Sequence, residues 1–590
     1  MTTRGRQVAQ GRQVARGRQV PGRAGAGKPA QAAADGSAKL GEVARGGTQN
    51  LVGAAVAAAA TVATTVLVTR KFPPGEAGAF FVATSAFLIV ETLATLGANV
   101  GLVYFIARFR SLREESRIPA VMRTAMRPVV VASLVFAAVM LVFSGPLAHF
   151  LIATHPGRHV TVGAVTTALR GLAISIPFAA QIDTVLGATR GYRDMRPTVW
   201  IKQIGIPVGQ LLGVVVAAVL GSVALLAPLW AVPYVLLVGL AWLWLGRIRR
   251  RASQRGASMP AVPPELAVLM ALAEDRTSPA GHALPRSSRS GHSRLTQRKL
   301  ASADRRDFWR FTVPRGLASA ASTIVQRLDI ILVAVLRGPA EAAVYTAATR
   351  FLVLSQFGGS AISRASQPRL TELFAVNDLR GTNVVYQVTT AWLILLTWPI
   401  YLLAMVYGPQ ALAIFGHTYK SGTSVIVILS LATIVGSLMG QVDIVLVTAG
   451  KSSWSLLNGL LVLVVNLVLD LWLIPKHGIL GAAVAWAVAL TVSNVVPLAQ
   501  LALVFKLHPF GRGSLIASVL TVISFGLAPL SIHAVLGDSW YSVVAGVLVG
   551  SVLMVLGLAR FRRGLRLSAM PGMRAVEARI QARWPRLLQP

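Results

Sequence analysis

Residues 74–84 read PGEAGAFFVAT and residues 339–349 read PAEAAVYTAAT. Set in register at an offset of 265, Pro, Glu, two Ala and Thr coincide, and Phe80 faces Tyr345. The same offset aligns the residues upstream. Positions 50–68 read NLVGAAVAAAATVATTVLV and positions 315–333 read RGLASAASTIVQRLDIILV, both rich in small and hydroxyl-bearing side chains. Each copy of the short stretch closes one apolar segment and opens the next. Self-similarity at a fixed offset is the mark of a duplicated unit.

The chain around these copies is built for hydrocarbon. Of 590 residues 54% are hydrophobic and 13% charged, about half the charge of a soluble globular domain. Mean hydropathy is +0.63. The absence of cysteine excludes disulfide scaffolds and thiolate metal sites. A bilayer core of about 30 Å needs roughly 20 mainly apolar residues per helix. Windows of that kind occur at about 48–69, 77–106, 129–150, 163–187, 197–220, 222–246, 311–337, 340–362, 386–407, 423–447, 453–474, 478–504, 514–537 and 541–560. The alternating pattern of a lipid-facing barrel strand is missing. The reading is an all-α polytopic membrane protein with 14 transmembrane helices, two parallel six-helix lobes around a central cavity plus two C-terminal helices.

The domain boundaries follow. Residues 1–46 form a basic disordered tail, 47–246 the first lobe, 247–306 a basic linker, 307–505 the second lobe, 506–560 helices 13 and 14, and 561–590 a basic tail. With an even number of helices per unit, both lobes share one orientation. Parallel repeats of this kind are a transporter architecture whose substrate path runs between the halves. The small-residue first helices either line that path or pack closely against neighbours.

Charge fixes orientation. The 57 Lys and Arg outnumber the 21 Asp and Glu, for a net charge of +36. With a cytoplasmic N-terminus, 46 of the basic residues fall on the cytoplasmic side. Six are external (Arg70, Lys71, Arg158, Arg337, Lys420 and Lys476) and five lie within spans. That asymmetry obeys the positive-inside rule and places both termini in the cytoplasm. Basic residues beside span ends gain about 1 kcal/mol each from anionic lipid, so anionic membrane lipids, not nucleic acid, account for the charge. The tail repeats Gly-Arg-Gln-Val at 5–8, 11–14 and 17–20 and has no apolar stretch of a signal peptide. The last 30 residues suit an interfacial amphipathic helix with Leu565, Leu567, Met570 and Trp584 toward lipid.

A charge at mid-bilayer costs at least about 2.5 kcal/mol and marks a functional position until shown otherwise. The basic ones are Arg170, Lys202, Arg315, Arg327 and Arg350, and the acidic ones Glu91, Asp183, Asp329, Asp443 and Asp470. Lys202 and Arg315 lie near span ends and can snorkel. Arg327 and Asp329 are two residues apart and point in different directions, so each needs another partner. For Arg327, Asp183 and Asp443 are the candidates. Asp183, Asp329 and Asp443 are the candidate coupling groups or counter-ions. Five cations in or near the spans suit an anionic, phosphate-bearing substrate.

Other chemistry is excluded. Gly450-Lys451-Ser452-Ser453 resembles the end of a phosphate-binding loop, but Val445 stands where that motif needs glycine. His149, His155 and His159 share a loop interrupted by Pro156-Gly157, and no metal ligation is expected. No external loop exceeds about 15 residues, too little for a membrane glycan polymerase or ligase. The expectation is no enzyme, no cofactor and no metal, with transport driven by gradients. A scaffold recruiting partners through its basic tails is a further reading.

The second half resembles a known family. The stretches that carry it are Gln326-Arg327-Leu328-Asp329, Gly338 to Tyr345, Ala365-Ser366-Gln367-Pro368-Arg369-Leu370, Phe415-Gly416-His417-Thr418-Tyr419, Ala449-Gly450-Lys451, Asn466 to Pro475 and Gly478 to Ala483. Gly75-Glu76-Ala77-Gly78 and Leu96-Gly97-Ala98-Asn99 add to it from the first half. Across about 47–505 the chain resembles the polysaccharide (O-antigen-type) flippases of the multidrug/oligosaccharidyl-lipid/polysaccharide exporter superfamily, relatives of the lipid II flippases. The resemblance implies a V-shaped pair of lobes and alternating access. It also implies carriage of a polyprenyl-pyrophosphate-linked oligosaccharide from the inner to the outer leaflet of a bacterial cytoplasmic membrane. Arg170, Arg315, Arg327 and Arg350 would then engage the pyrophosphate, and glycan-assembly or polymerase proteins become candidate partners. The competing reading within the superfamily is an H+- or Na+-coupled antiporter of drugs or organic cations. Residues 47–69 hold no carboxylate for it, and intramembrane cations would repel such cargo. The long basic tail and linker depart from a minimal member.

Overall fold

The computed structural model describes residues 52–152, 162–257, 294–561 and 564–565. All regular structure among them is helical. The long helices are α1 (Val52–Lys71), α2 (Pro74–Ser111), α3 (Glu115–Val142), α4 (Val162–Gly191), α5 (Thr198–Leu220) and α6 (Val223–Ala257). They continue with α7 (Arg294–Arg337), α8 (Pro339–Ala375), α9 (Leu379–Val406), α10 (His417–Thr448), α11 (Ser452–His477), α12 (Ile479–Phe505), α13 (Arg512–Leu536) and α14 (Trp540–Arg560). Thirteen of these are long and apolar enough to cross a membrane. The other, α8, has ample length at 37 residues, but Glu341, Thr346, Thr349 and Arg350 dilute its apolar character. Large apolar side chains such as Val219, Leu503 and Val535 stand more than four-fifths exposed. In water such a surface would aggregate, so it faces acyl chains.

The two repeat stretches open α2 and α8, with Pro74 and Pro339 in the first helical turn. There the missing N–H costs nothing and the fixed φ suits the helix. Packing follows the repeat. In the first lobe α2 packs on α4, α3 on α4, α4 on α6 and α5 on α6. In the second α8 packs on α10, α9 on α10, α10 on α12 and α11 on α12. Helix α13 lies against α9, and α14 against α13. Tyr407 donates to the Pro529 and Ser542 carbonyls at 3.2 and 2.8 Å to hold them there.

The lobes meet mainly through α2, which runs against both α7 and α8. Close approach needs glycine: a Cβ at Gly78 would overlap the Pro339 carbonyl. At the same end Arg70 donates to the Ile414 and Ala413 carbonyls, each at 2.8 Å. Toward the other end α2 breaks at Thr95–Gly97, where Leu96 and Gly97 take φ of +50° and +71°, and restarts at Ala98. Beyond the break Tyr104 stacks on Phe311 of α7 at 4.1 Å between ring centroids. This second end also carries the loop after α2 and the loop between α4 and α5, and is called the basic end below.

One face of the small-residue helix α1 packs closely. Thr61, Thr64 and Thr65 turn their hydroxyls back to carbonyls of their own helix, at 2.7–3.0 Å, which satisfies them without water. Gly53 packs directly on Gln203 of α5. Two boundary expectations change. Helix reaches Ala257 and resumes at Arg294, so both ends of the 247–306 linker are helical. Leu565, expected toward lipid, is buried with Ala391, Ile394 and Trp398. Trp392 Nε1 donates to its carbonyl at 3.2 Å, which ties Leu565 to α9. Leu567, Met570, Trp584, His155, His159 and residues 1–46 lie outside the described residues.

Candidate functional site

Charged groups gather at three places. In the second lobe Asp329 on α7 and Asp470 on α11 are buried, at 3% and 0% exposure, and their carboxyls are hydrogen-bonded to each other. Tyr345 on α8 donates to Asp329 Oδ2 at 3.0 Å, and Asn466, one turn before Asp470, donates to Asp329 Oδ1 at 2.9 Å and to Asp470. Two carboxylates in contact away from water cannot both stay charged without a proton or cation between them. Asp470 Oδ1 and Asn466 Oδ1 are buried with no donor among the described residues. These are hard oxygen acceptors of the kind that suit a proton or a monovalent cation. Among the described residues no group of three His, Cys, Asp or Glu gathers to hold a metal ion.

The second place lies at the lobe interface. Arg327, half-buried on α7, has neither hydrogen bond nor ion pair among the described residues. It lies within electrostatic reach of Tyr234 on α6 and of Arg350 on α8. Arg350 sits 5.8 Å from the centre of the Phe81 ring on α2, with a buried Nε that finds no acceptor among the described residues. Two guanidinium groups close enough to repel, without a carboxylate partner, create a local demand for negative charge.

The other two expected arginines stand apart. Arg170 is exposed and donates to Ser144 Oγ at 3.1 Å. Arg315 is exposed midway along α7, folded onto its own helix. Its guanidinium lies 3.7 Å from the Phe311 ring centre and donates to the Phe311 carbonyl at 3.0 Å. No hydrogen bond or ion pair joins either to Arg327 or Arg350. The expected partners of Arg327 are also engaged elsewhere. Asp183 is held by Lys202 at 2.5 Å through both oxygens. Exposed Asp443 accepts from Ser455 at 2.5 Å.

That Lys202–Asp183 pair belongs to the third place, with Glu91 of α2 beside it. The sequence allows Lys202 to snorkel; in the structure its ammonium pairs with Asp183 of α4 while the side chain stays 47% exposed. The first turns of α5, Thr198–Gly205, are π-helical. The wider turn alters which residues face α4. Near this cluster, at the basic end, a cavity of about 990 Å³ is lined by Val103, Tyr104, Ala107, Arg108, Arg190 and Arg193 among others. Three arginines and no carboxylate line it.

The described residues thus form an all-helical bundle of two like lobes with ionisable groups buried in its interior and at its lobe interface. The MatE family model matches residues 314–472. No curated protein matches the chain in sequence. Its fold is similar to that of a solved lipid II flippase, MurJ, in an inward closed conformation, with 13% identity and a TM-score of 0.61, covering 86% of this chain and 99% of that one. It is similar as well to an inward-facing multidrug resistance MATE family transporter of the MOP superfamily (14% identity, TM-score 0.54, 76% and 95% covered). A third likeness is to a MOP superfamily transporter from Pyrococcus furiosus described as having a binding pocket of reverse polarity (16% identity, TM-score 0.50, 78% and 94% covered). The chain has the fold of the MOP superfamily transporters.

Proposed function

We propose that the protein is a flippase that carries a polyprenyl-pyrophosphate-linked oligosaccharide or cell-wall precursor between leaflets by alternating access. The observation that carries this reading is the unpaired Arg327–Arg350 couple at the lobe interface. A pyrophosphate supplies the opposite charge in the bidentate form that guanidinium groups bind best. A sugar head cannot cross hydrocarbon unshielded, and a path between lobes lets the polyprenyl tail stay in lipid. Arg170 and Arg315, exposed on α4 and α7, would meet the head group at other stages of the path. The basic end would face the cytoplasm of a bacterial cell, and its arginine-lined cavity would receive the substrate beside anionic lipid. Glycan-assembly proteins are the expected suppliers. The Asp329–Asp470 pair would bind and release the coupling proton or cation.

The antiporter reading is favoured by the likeness to multidrug transporters and by the presence of buried carboxyl pairs. The arginine couple opposes it. The first test is reconstitution of the full chain with a fluorescent polyprenyl-pyrophosphate oligosaccharide. Leaflet exposure faster than in protein-free liposomes is expected, and equal rates would refute the proposal.

A further inference from the structure

The carboxyl of Glu91 lies in the first lobe, on α2, and is 8% exposed. No described side chain other than Asp183 hydrogen-bonds to it, and Asp183 is itself a carboxyl. A proton in that contact supplies the donor that two bare, mutually repelling carboxylates lack. Lys202 already satisfies Asp183 through both oxygens at 2.5 Å, so the proton belongs to Glu91.

We propose that Glu91, with Asp183 and Lys202, forms a proton-binding site in the first lobe, separate from Asp329–Asp470, and that its proton sets the position of the basic half of α2. Charged and titratable groups face it, directly or through one neighbour, from several packed elements. Helix α4 supplies Asp183 and Arg190, α5 supplies Lys202, and α6 supplies Tyr234, which is tied to Gln210 at 3.4 Å. Helix α7 supplies Arg327, in reach of Tyr234, and α8 supplies Arg350, in reach of Arg327. Protonated, Glu91 leaves the Lys202–Asp183 pair balanced. Deprotonated, it sets a second negative charge against Asp183, and the contact between α2 and α4 is pushed apart.

The push has somewhere to go. The Glu91 carbonyl accepts from Thr95 N at 3.1 Å, the last bond before the helix breaks. Leu96 then holds a φ of +50°, a strained value for a side chain of its size. Past the break, Ala98–Ser111 carries Val103, Tyr104 and Arg108, which wall the arginine-lined cavity. The site also has an open side: the Lys202 side chain is 47% exposed. Asp183 lies eight residues before the end of α4 at Gly191, about 12 Å from the basic end, so protons would exchange there.

Infrared titration of the full chain in lipid nanodiscs tests the site without any transport substrate, so its outcome is independent of the flippase proposal. A protonated-carboxyl band that vanishes on raising pH is expected. The part of that band due to this site should be lost in Glu91→Gln, kept in Asp329→Asn/Asp470→Asn, which removes the other carboxyl pair, and unchanged when choline replaces Na+. In Lys202→Met, or Lys202→Gln if the former does not fold, its midpoint should move to higher pH, since losing the ammonium favours the protonated form. A spin label on Val103→Cys, the only cysteine in the chain, should report a pH-dependent environment that Glu91→Gln abolishes. Loss of no band in Glu91→Gln, a band that follows Na+ instead of pH, or an unaltered pH response of the label in Glu91→Gln would overturn the proposal.

Discussion

Two guanidinium groups that repel each other inside a bundle raise the free energy of the protein that carries them, and a fold tolerates this where an anion visits. Charge reversal separates that use from a structural one. Arg327→Glu should cut leaflet exposure of the pyrophosphate-linked glycan by about tenfold or more, a loss of roughly 1.4 kcal/mol of anion binding. Thermal unfolding should stay level or rise, because the new carboxylate can pair with Arg350. A collapse in folding would instead make Arg327 a structural counter-ion. The carboxyl pair predicts the opposite pattern. Asp470→Asn keeps a hydrogen-bonding group beside Asp329 and should fold but lose gradient dependence. Asp470→Ala leaves Asp329 and Asn466 short of a partner and should cost about 1–3 kcal/mol of stability, read by unfolding in detergent. At this scale the sequence reveals charges better than partners. Asp329 stands out as an ionisable residue in a span, but Tyr345 and Asn466 look like ordinary interior residues. Lys202 and Asp183 lie 19 residues apart on different helices, and a π-helical turn that no periodicity announces brings them together.

Helix existence and order are legible because the bilayer imposes them: each apolar window becomes a helix, and the offset repeat becomes a repeated packing pattern. What stays hidden is how one helix ends or bends. The α2 window runs unbroken in composition, yet the chain breaks at Thr95–Gly97, where Gly97 meets Gly316 of α7. The extent of helix in the linker escapes a hydropathy scan because its ends are polar. The element most exposed to test is α2, which joins both lobes. Gly78→Val would drive a side chain into the Pro339 carbonyl and should separate α2 from α8 at the end opposite the basic one. Overpacking of this kind costs about 1–3 kcal/mol, seen as a lower unfolding temperature. It should also make a cysteine placed nearby more accessible to a water-soluble reagent, and unchanged accessibility would show that the contact does not close that end.

At the scale of the molecule, the two lobes and the pair of added helices form one bundle with its buried charges gathered at a few places. Deleting 1–46 together with 258–293, which spares both helical ends of the linker, should leave leaflet exposure within about twofold, since surface charge gives only about 1 kcal/mol per residue near lipid. Complete loss of transport would assign those segments a part in the cycle itself. The choice of cargo is settled by sign of charge. Vesicles containing the full chain, loaded with both a fluorescent polyprenyl-pyrophosphate oligosaccharide and a rhodamine-type organic cation, allow the two to be followed side by side under an imposed proton or sodium gradient. Exposure of the lipid above the protein-free rate, with no movement of the dye, is the expected result. Gradient-driven dye transport with the lipid moving no faster than in empty vesicles would contradict a cationic path for a phosphorylated head group.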